Sequence, residues 1–566
     1  MQTMIFKKRI FLPAFACLLF FSGPILSQTP QVEEITIVGS FNPTVTDANR
    51  LTRNPSIRDT VIAMPPLTYS ILSRPLRFSF PVYTIDPLKV KADADPNYLR
   101  NYLRLGFGST MTPYAEFFAG KPQSKRSVFG LHYRHMSSYG KMDGYSDCSF
   151  SDHQAEIYGK LIGKVLTWSG EAGFSHNMLH HYGFRLADYN DTVIDPATTR
   201  QVYTRITASL GFDNSSTGKS SLNYGSHLRA VRVGDRFETA EINLKYSGHL
   251  DYQTDALSTR KSDRIGIKAE GGLYRNTWQA QPSSVSTLLA FRPYFHTEIE
   301  EYELYAGLNA SMTSDSSSRF YFFPEIRGGL TIVKEILKVY AGITGGIQRN
   351  SLENFSRANP FIVSVAPFNF MRNKFEFFGG VNTNLGRYIG FNASVRNASL
   401  HNIPFFINDT ASAFMHRFVP VYDSGSLIEL KGELSFHQRE NVHVTLGAVY
   451  SSYELESQFK PWHSPELVLF ATVRVVAGNK IVLKGNLKYS GESYARVFEK
   501  INTGWKENLP LKLDPYADLS LGIEYRFTPR LSAWADFNNI TGGSYMRWNQ
   551  YPVYGFNVMG GITYSF

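Results

Sequence analysis

Cysteine is nearly missing from this chain: its 566 residues include only Cys17 and Cys148. Cys17 sits within a removable leader, so the mature chain keeps Cys148 alone and has no internal disulfide available. Long apolar runs are scarce too. After the leader, no segment reaches the ~18 continuous apolar residues of a membrane-crossing helix, which excludes a helical membrane protein. Patterns of the G-x-S-x-G, H-E-x-x-H, G-x-G-x-x-G and paired-cysteine kinds are absent, so the sequence points to no enzyme, no cofactor and no metal. Nor is charge of one sign in large excess: +10 for the whole chain, and +7 once Lys7, Lys8 and Arg9 depart with the leader. A balance that mild suits anionic outer-membrane lipid or a pore lining, not nucleic acid.

What is present is aromatic and alternating. Phe, Tyr and Trp make up 14% of the chain, with 42 Phe and 33 Tyr, and the 44 Gly are spread throughout. Strands that carry interfacial aromatic girdles and end in tight turns have this composition. The final stretch shows the period. Phe566, Tyr564, Ile562, Gly560, Val558 and Phe556 share one parity, while Ser565, Thr563, Gly561, Met559 and Asn557 share the other. A period of two means a strand with one apolar and one polar face. If the aromatic last residue closes a final strand, then Phe566, Tyr564 and Ile562 are the residues onto which the chain must close.

Residues 1–27 read as a signal peptide: Lys7, Lys8 and Arg9, an apolar run from Ile10 to Leu26, and Ser27 before Gln28. Residues 28–97 are rich in proline and form an extended periplasmic or lumen-threading segment. From Tyr98 to Phe566 the alternation is nearly continuous. Strand centres fall near residues 103, 117, 132, 157, 171, 206, 225, 245, 270, 292, 306, 326, 343, 380, 395, 432, 448, 470, 486, 521, 536 and 561. The expected fold is all-β: a single transmembrane antiparallel barrel of about 22 strands. A soluble array of β-sandwiches or a propeller is the rival.

Loop lengths provide a second test, because such barrels have short periplasmic turns and long external loops. The short links Gly163–Val165, Ile299–Glu301, Lys334–Ile336, Gly386–Arg387, Arg439–Asn441, Gly478–Asn479 and Thr528–Arg530 all fall on one side. The long links near 140–152, 178–199, 351–372, 401–425, 456–464, 494–514 and 542–554 all fall on the other. Thr110–Pro113 is the exception, short yet external.

The run Asp518–Phe527, Asp536–Thr541, Tyr545, Tyr551-Pro552, Gly555 and Gly560–Phe566 resembles the closing hairpins of TonB-dependent outer-membrane receptors of the Bacteroidetes type. Glu34, Ile35, Thr36, Ile37 and Val38 are similar to the short TonB box of that family. The resemblance implies a Gram-negative outer membrane, uptake or binding of a nutrient, and TonB or another periplasmic or outer-membrane protein as partner. The departure is the plug. Only about 60 residues separate the box-like piece from the first strand, so the globular plug of such receptors is missing or much reduced. The alternative is a passive channel, or a structural or assembly barrel without TonB coupling.

Trp505, Tyr545, Trp548 and Tyr551 lie in the last two external loops, where they either stack on a small molecule or glycan or anchor the rim. The lumen-facing Glu429, Lys431, Glu433, Lys484 and Lys488 either bind a charged solute or form cross-strand ion pairs. His180-His181, near Asp188 and Asp191, reads as a solvated loop and not a metal site, since neighbours in a strand point apart. Gly218-Lys-Ser220 lacks the earlier glycine of a phosphate loop and reads as a periplasmic turn.

Overall fold

The computed structural model describes residues 101–566 apart from 122–125, 190–193, 215–221, 255–262, 280, 413, 439–440 and 502–503. The leader, the Pro-rich segment, Glu34–Val38, Asp191 and the Gly218-Lys-Ser220 turn lie outside the described residues, as does most of Arg439–Asn441.

Twenty-two antiparallel strands form one sheet that closes on itself. They run from Tyr102–Gly108 to Asn557–Ser565, and every expected centre falls within its corresponding strand. At the seam, Leu103 faces Tyr564 and Leu105 faces Ile562. Beyond them the Phe566 amide donates to the Asn101 carbonyl at 2.9 Å. The lumen side of the seam is packed as tightly. Gly106 leaves room for the Trp534 indole, which a Cβ at that position would meet at 2.5 Å. The Arg104 guanidinium lies 3.9 Å over that indole and 3.2 Å from Asp536.

Parity decides the faces. In the strand Ala240–Thr254, Ile242, Leu244, Tyr246, Leu250 and Tyr252 are 39–53% exposed, whereas Glu241 and Asn243 are fully buried. Apolar side chains therefore point away from the enclosed space, and polar ones line it, as a wall bathed in lipid requires. At the side with tight turns, Gly478 and Asn479 both adopt left-handed φ (56° and 58°) between the strands Leu467–Ala477 and Ile481–Ser490. Gly and Asn reach that conformation at low cost.

The external side differs from expectation in two ways. The link 401–425 is mostly strand: Ile389–Asn408 and Phe418–Gln438 continue for 20 and 21 residues, leaving only 409–417 as the connection. A bulge between Leu400 and Ile403, with Asn402 at φ 59°, bends this hairpin. Its extension is stable because Ile403, Phe405 and Ile407 are buried around Trp462. The second difference is that Thr110–Pro113 has company: residues 236–239 and 315–317 are also short external links. In the first, the Asp235 carboxylate accepts from the amides of Phe237 and Thr239, both at 2.9 Å, so a side chain builds the turn.

Candidate functional site

The external mouth is where the chain departs from a plain barrel. The link between Leu337–Arg349 and Phe370–Leu385 carries a short helix, Leu352–Ala358. Ser351 caps it, its hydroxyl accepting from the Asn354 amide at 3.2 Å, and Asn359-Pro360 stops it, because proline cannot continue a helix. What fixes the helix is the barrel wall. Glu241 accepts from the amides of Leu352 (2.8 Å) and Glu353 (3.2 Å) and from the side chains of Asn276 (2.8 Å) and Asn243 (2.9 Å). A buried carboxylate is thereby satisfied by the otherwise unpaired first amides of the helix. Glu353, 4% exposed, lies 3.6–3.8 Å from Lys245, Arg229 and Arg357.

Apolar packing completes the closure. Leu352, Phe355 and Ile362 form one core with Tyr203, Val231 and Val233 of the wall, with Phe406 and Phe418 of the long hairpin, and with Tyr551 of the last loop. The strands bearing Tyr203 and Val231 stand nine places from those bearing Phe406 and Phe418 in the ring of 22, so the core bridges nearly opposite sides of the mouth. Phe418 and Ile362 also form a backbone bridge, with the Phe418 amide donating to Phe361 at 2.9 Å.

The loop aromatics, expected either to stack on a ligand or to anchor the rim, divide. Tyr551 is 2% exposed, stacks on Phe361 at 3.7 Å and donates its hydroxyl hydrogen to the His416 carbonyl. Trp548 packs among Phe406, Phe418 and His463 at 5.2–5.6 Å. Tyr545 stays near the rim, stacked on Tyr516 at 3.8 Å and donating to Asp518 at 2.6 Å. The side chain of Trp505 lies outside the described residues.

His180 and His181 are buried, which overturns the solvated-loop expectation. The His180 ring donates to the Ser149 carbonyl at 3.0 Å, and His181 lies 5.6 Å from the His416 ring. Burial, with His416 and Arg417 nearby, holds His181 well below its ordinary range. Burial also drives His416 down to about 4, with Arg417 adding to the effect, and His463 to about 4. In the buried His463, Nδ1–H donates to the Phe406 carbonyl at 3.0 Å and Nε2 accepts the Asn549 amide at 3.2 Å. Among the described residues no cluster of His, Cys, Asp and Glu could hold a metal ion.

Beside the helix lies a cavity of about 640 Å³ lined by Tyr182, Tyr554, Asp152, Asn177, Arg205 and Arg357, and another of about 440 Å³ lies along the inner wall. Of the lumen charges singled out in the sequence, Glu429 pairs with Arg396 at 3.1 Å and Lys484 with Glu524 at 3.9 Å. Glu241 and Glu353 were not among them. Their one local trace is the Ser351-Leu-Glu353 helix start; the rest depends on a contact more than a hundred residues away.

A closed antiparallel wall with its apolar face outward and its long loops on one side defines an outer-membrane β-barrel, and the outer membrane is where the protein resides. Its fold is that of TonB-dependent receptor barrels. The siderophore receptor PirA of Acinetobacter baumannii superimposes with a TM-score of 0.62 at 9% identity, over 82% of this chain and 80% of that one. The FrpB iron transporter of Neisseria meningitidis gives 0.61 at 10%, over 82% and 81%. The pyoverdine receptor FpvA of Pseudomonas aeruginosa gives 0.60 at 12%, over 82% and 78%. No protein-family model and no curated protein matches the sequence.

Proposed function

We propose that this protein is a gated outer-membrane receptor that binds a small solute at its external end and admits it through the barrel. The observation that carries the reading is the apolar core joining nearly opposite walls across the mouth. A permanently open channel has no use for such a closure, whereas a receptor does. The fold neighbours, described as receptors and transporters, support a non-enzymatic uptake role. The larger cavity, about 640 Å³, is within the size range of small-molecule sites, and Asp152, Asn177, Arg205 and Arg357 on its wall favour a polar solute. Glu34–Val38 would then pair by strand addition with an energy-transducing periplasmic partner such as TonB.

Planar-bilayer recording tests the gate. The intact protein is expected to be nearly silent, and a variant with 351–368 replaced by a short Gly-Ser linker is expected to conduct steadily. Steady large conductance of the intact protein would establish the passive channel instead. Deleting Glu33–Gly39 should abolish uptake while leaving barrel insertion unchanged; unaltered uptake removes the TonB role. A silent barrel that supports no uptake at all favours the structural or assembly reading.

A further inference from the structure

Among the described residues the outward face of the wall is mostly apolar, and a polar row near its external rim departs from this. On adjacent strands Ser127–Ser138, Phe150–Ile162 and Leu166–His180, His135 pairs with His153, and His153 with His176. All three share the parity of the exposed Phe129, Tyr133, Ile157, Trp168 and Phe174, so the imidazoles face lipid and not the lumen. The His135 and His153 rings lie 4.3 Å apart, and those of His153 and His176 6.3 Å apart. Hydroxyls surround them. Tyr133 and Ser151 contact His153 at 3.2 and 3.3 Å, Ser137 contacts His135 at 3.3 Å, and Thr204 contacts His176 at 3.1 Å.

Two further features identify what the row faces. It lies three or four residues from the external strand ends, with Tyr133 directly beneath it and turning its hydroxyl upward, so it sits at the level of the outer-leaflet headgroups. Its charge is also one-sided. Asp152, Glu156, Glu171 and Asp213 on these strands and the next all have the opposite parity, and so does Asp235 on Leu222–Asp235. On that last strand Arg232, exposed and without an ion pair among the described residues, joins the outward face opposite Ile206, two residues below Thr204. A face with imidazole, hydroxyl and guanidinium donors and no carboxylate is complementary to phosphate oxygens.

We infer that His135, His153, His176 and Arg232 form a binding site for the phosphorylated headgroup of an outer-leaflet lipid. Arg232 supplies fixed positive charge and His176, whose Nε2 is left over from its Thr204 contact, a directed donor. His135 and His153 bond each other at 3.2 Å and the hydroxyls of Tyr133, Ser137 and Ser151, and so hold the polar row in place. This site is independent of the lumen and of the solute the barrel admits.

The test uses the full chain in nanodiscs of phosphatidylcholine doped with diphosphorylated lipid A, with the lipid A retained per barrel read by native mass spectrometry. The combined variant His135→Phe, His153→Phe, His176→Phe and Arg232→Ala is expected to retain about tenfold less, the loss of roughly one charge-assisted hydrogen bond. Replacing the lumen-facing His227 by Phe should change nothing. Arg232→Ala alone, expected to lose about threefold, leaves the sheet pairing untouched and decides the matter if the combined variant fails to fold. Wild-type retention in both variants overturns the site. Displacement of lipid A by inorganic phosphate at equal concentration overturns the lipid as its occupant.

Discussion

The wall and the cap are held together by different physics. In the wall each strand is fixed by neighbours in register, and its apolar side chains are left facing lipid. In the cap the apolar side chains face one another, drawn from loops separated by up to several hundred residues, with one buried carboxylate, Glu241, holding the central helix. The wall is thus a repeating structure that tolerates local change, whereas the cap concentrates its stability in a few contacts.

The largest effect should come from the cap. Glu241→Ala removes four hydrogen bonds to a buried carboxylate and is expected to destabilise the 350–369 link by about 3–5 kcal/mol, seen as faster amide exchange there with the barrel's thermal unfolding unchanged. Equal loss of protection in the wall would erase the distinction between the two regions. Phe291→Arg, on the lipid face in mid-strand, is expected to cost about 2–4 kcal/mol of barrel stability in a folding titration, with no change in cap exchange.

Acid should act on the cap next. His416 and His463 titrate near 4 when buried, against an ordinary 6.5. The open state takes up protons first, so cap stability is complete above about pH 6.5 and is lost as pH falls toward 4, on the order of 3 kcal/mol per imidazole. Bilayer conductance should rise over that window and stay flat from pH 7 to 8; a flat trace down to pH 4 would contradict the burial of these rings. The smallest effect belongs to the exposed pair Arg496–Glu507 at 2.6 Å, where Arg496→Ala should change thermal stability by less than about 1 kcal/mol.

The same contrast explains what could be read from the sequence. The wall is legible because period two writes itself along each strand: Leu519, Leu521, Ile523 and Tyr525 announce their face without reference to any other part of the chain. The cap has no such period. His180 and His181 look solvated in a polar loop, and nothing local reveals Ser149 or His416 waiting for them. Tyr551 and Trp548 look like rim aromatics, yet their partners Phe361, Phe406 and Phe418 come from links read as irregular. The upper part of the long hairpin reads as a loop for a related reason, since its alternation serves a core and not the bilayer.

Because the strand that opens the wall pairs with the one that closes it, the cylinder cannot be completed until Asn557–Ser565 has been exported. Every shorter intermediate bears two raw sheet edges, each a template for pairing with another molecule. Assembly therefore demands that the growing sheet be shielded until Phe566 reaches Asn101, and a chain cut short by even one strand is destined for aggregation or proteolysis, however sound its other strands are.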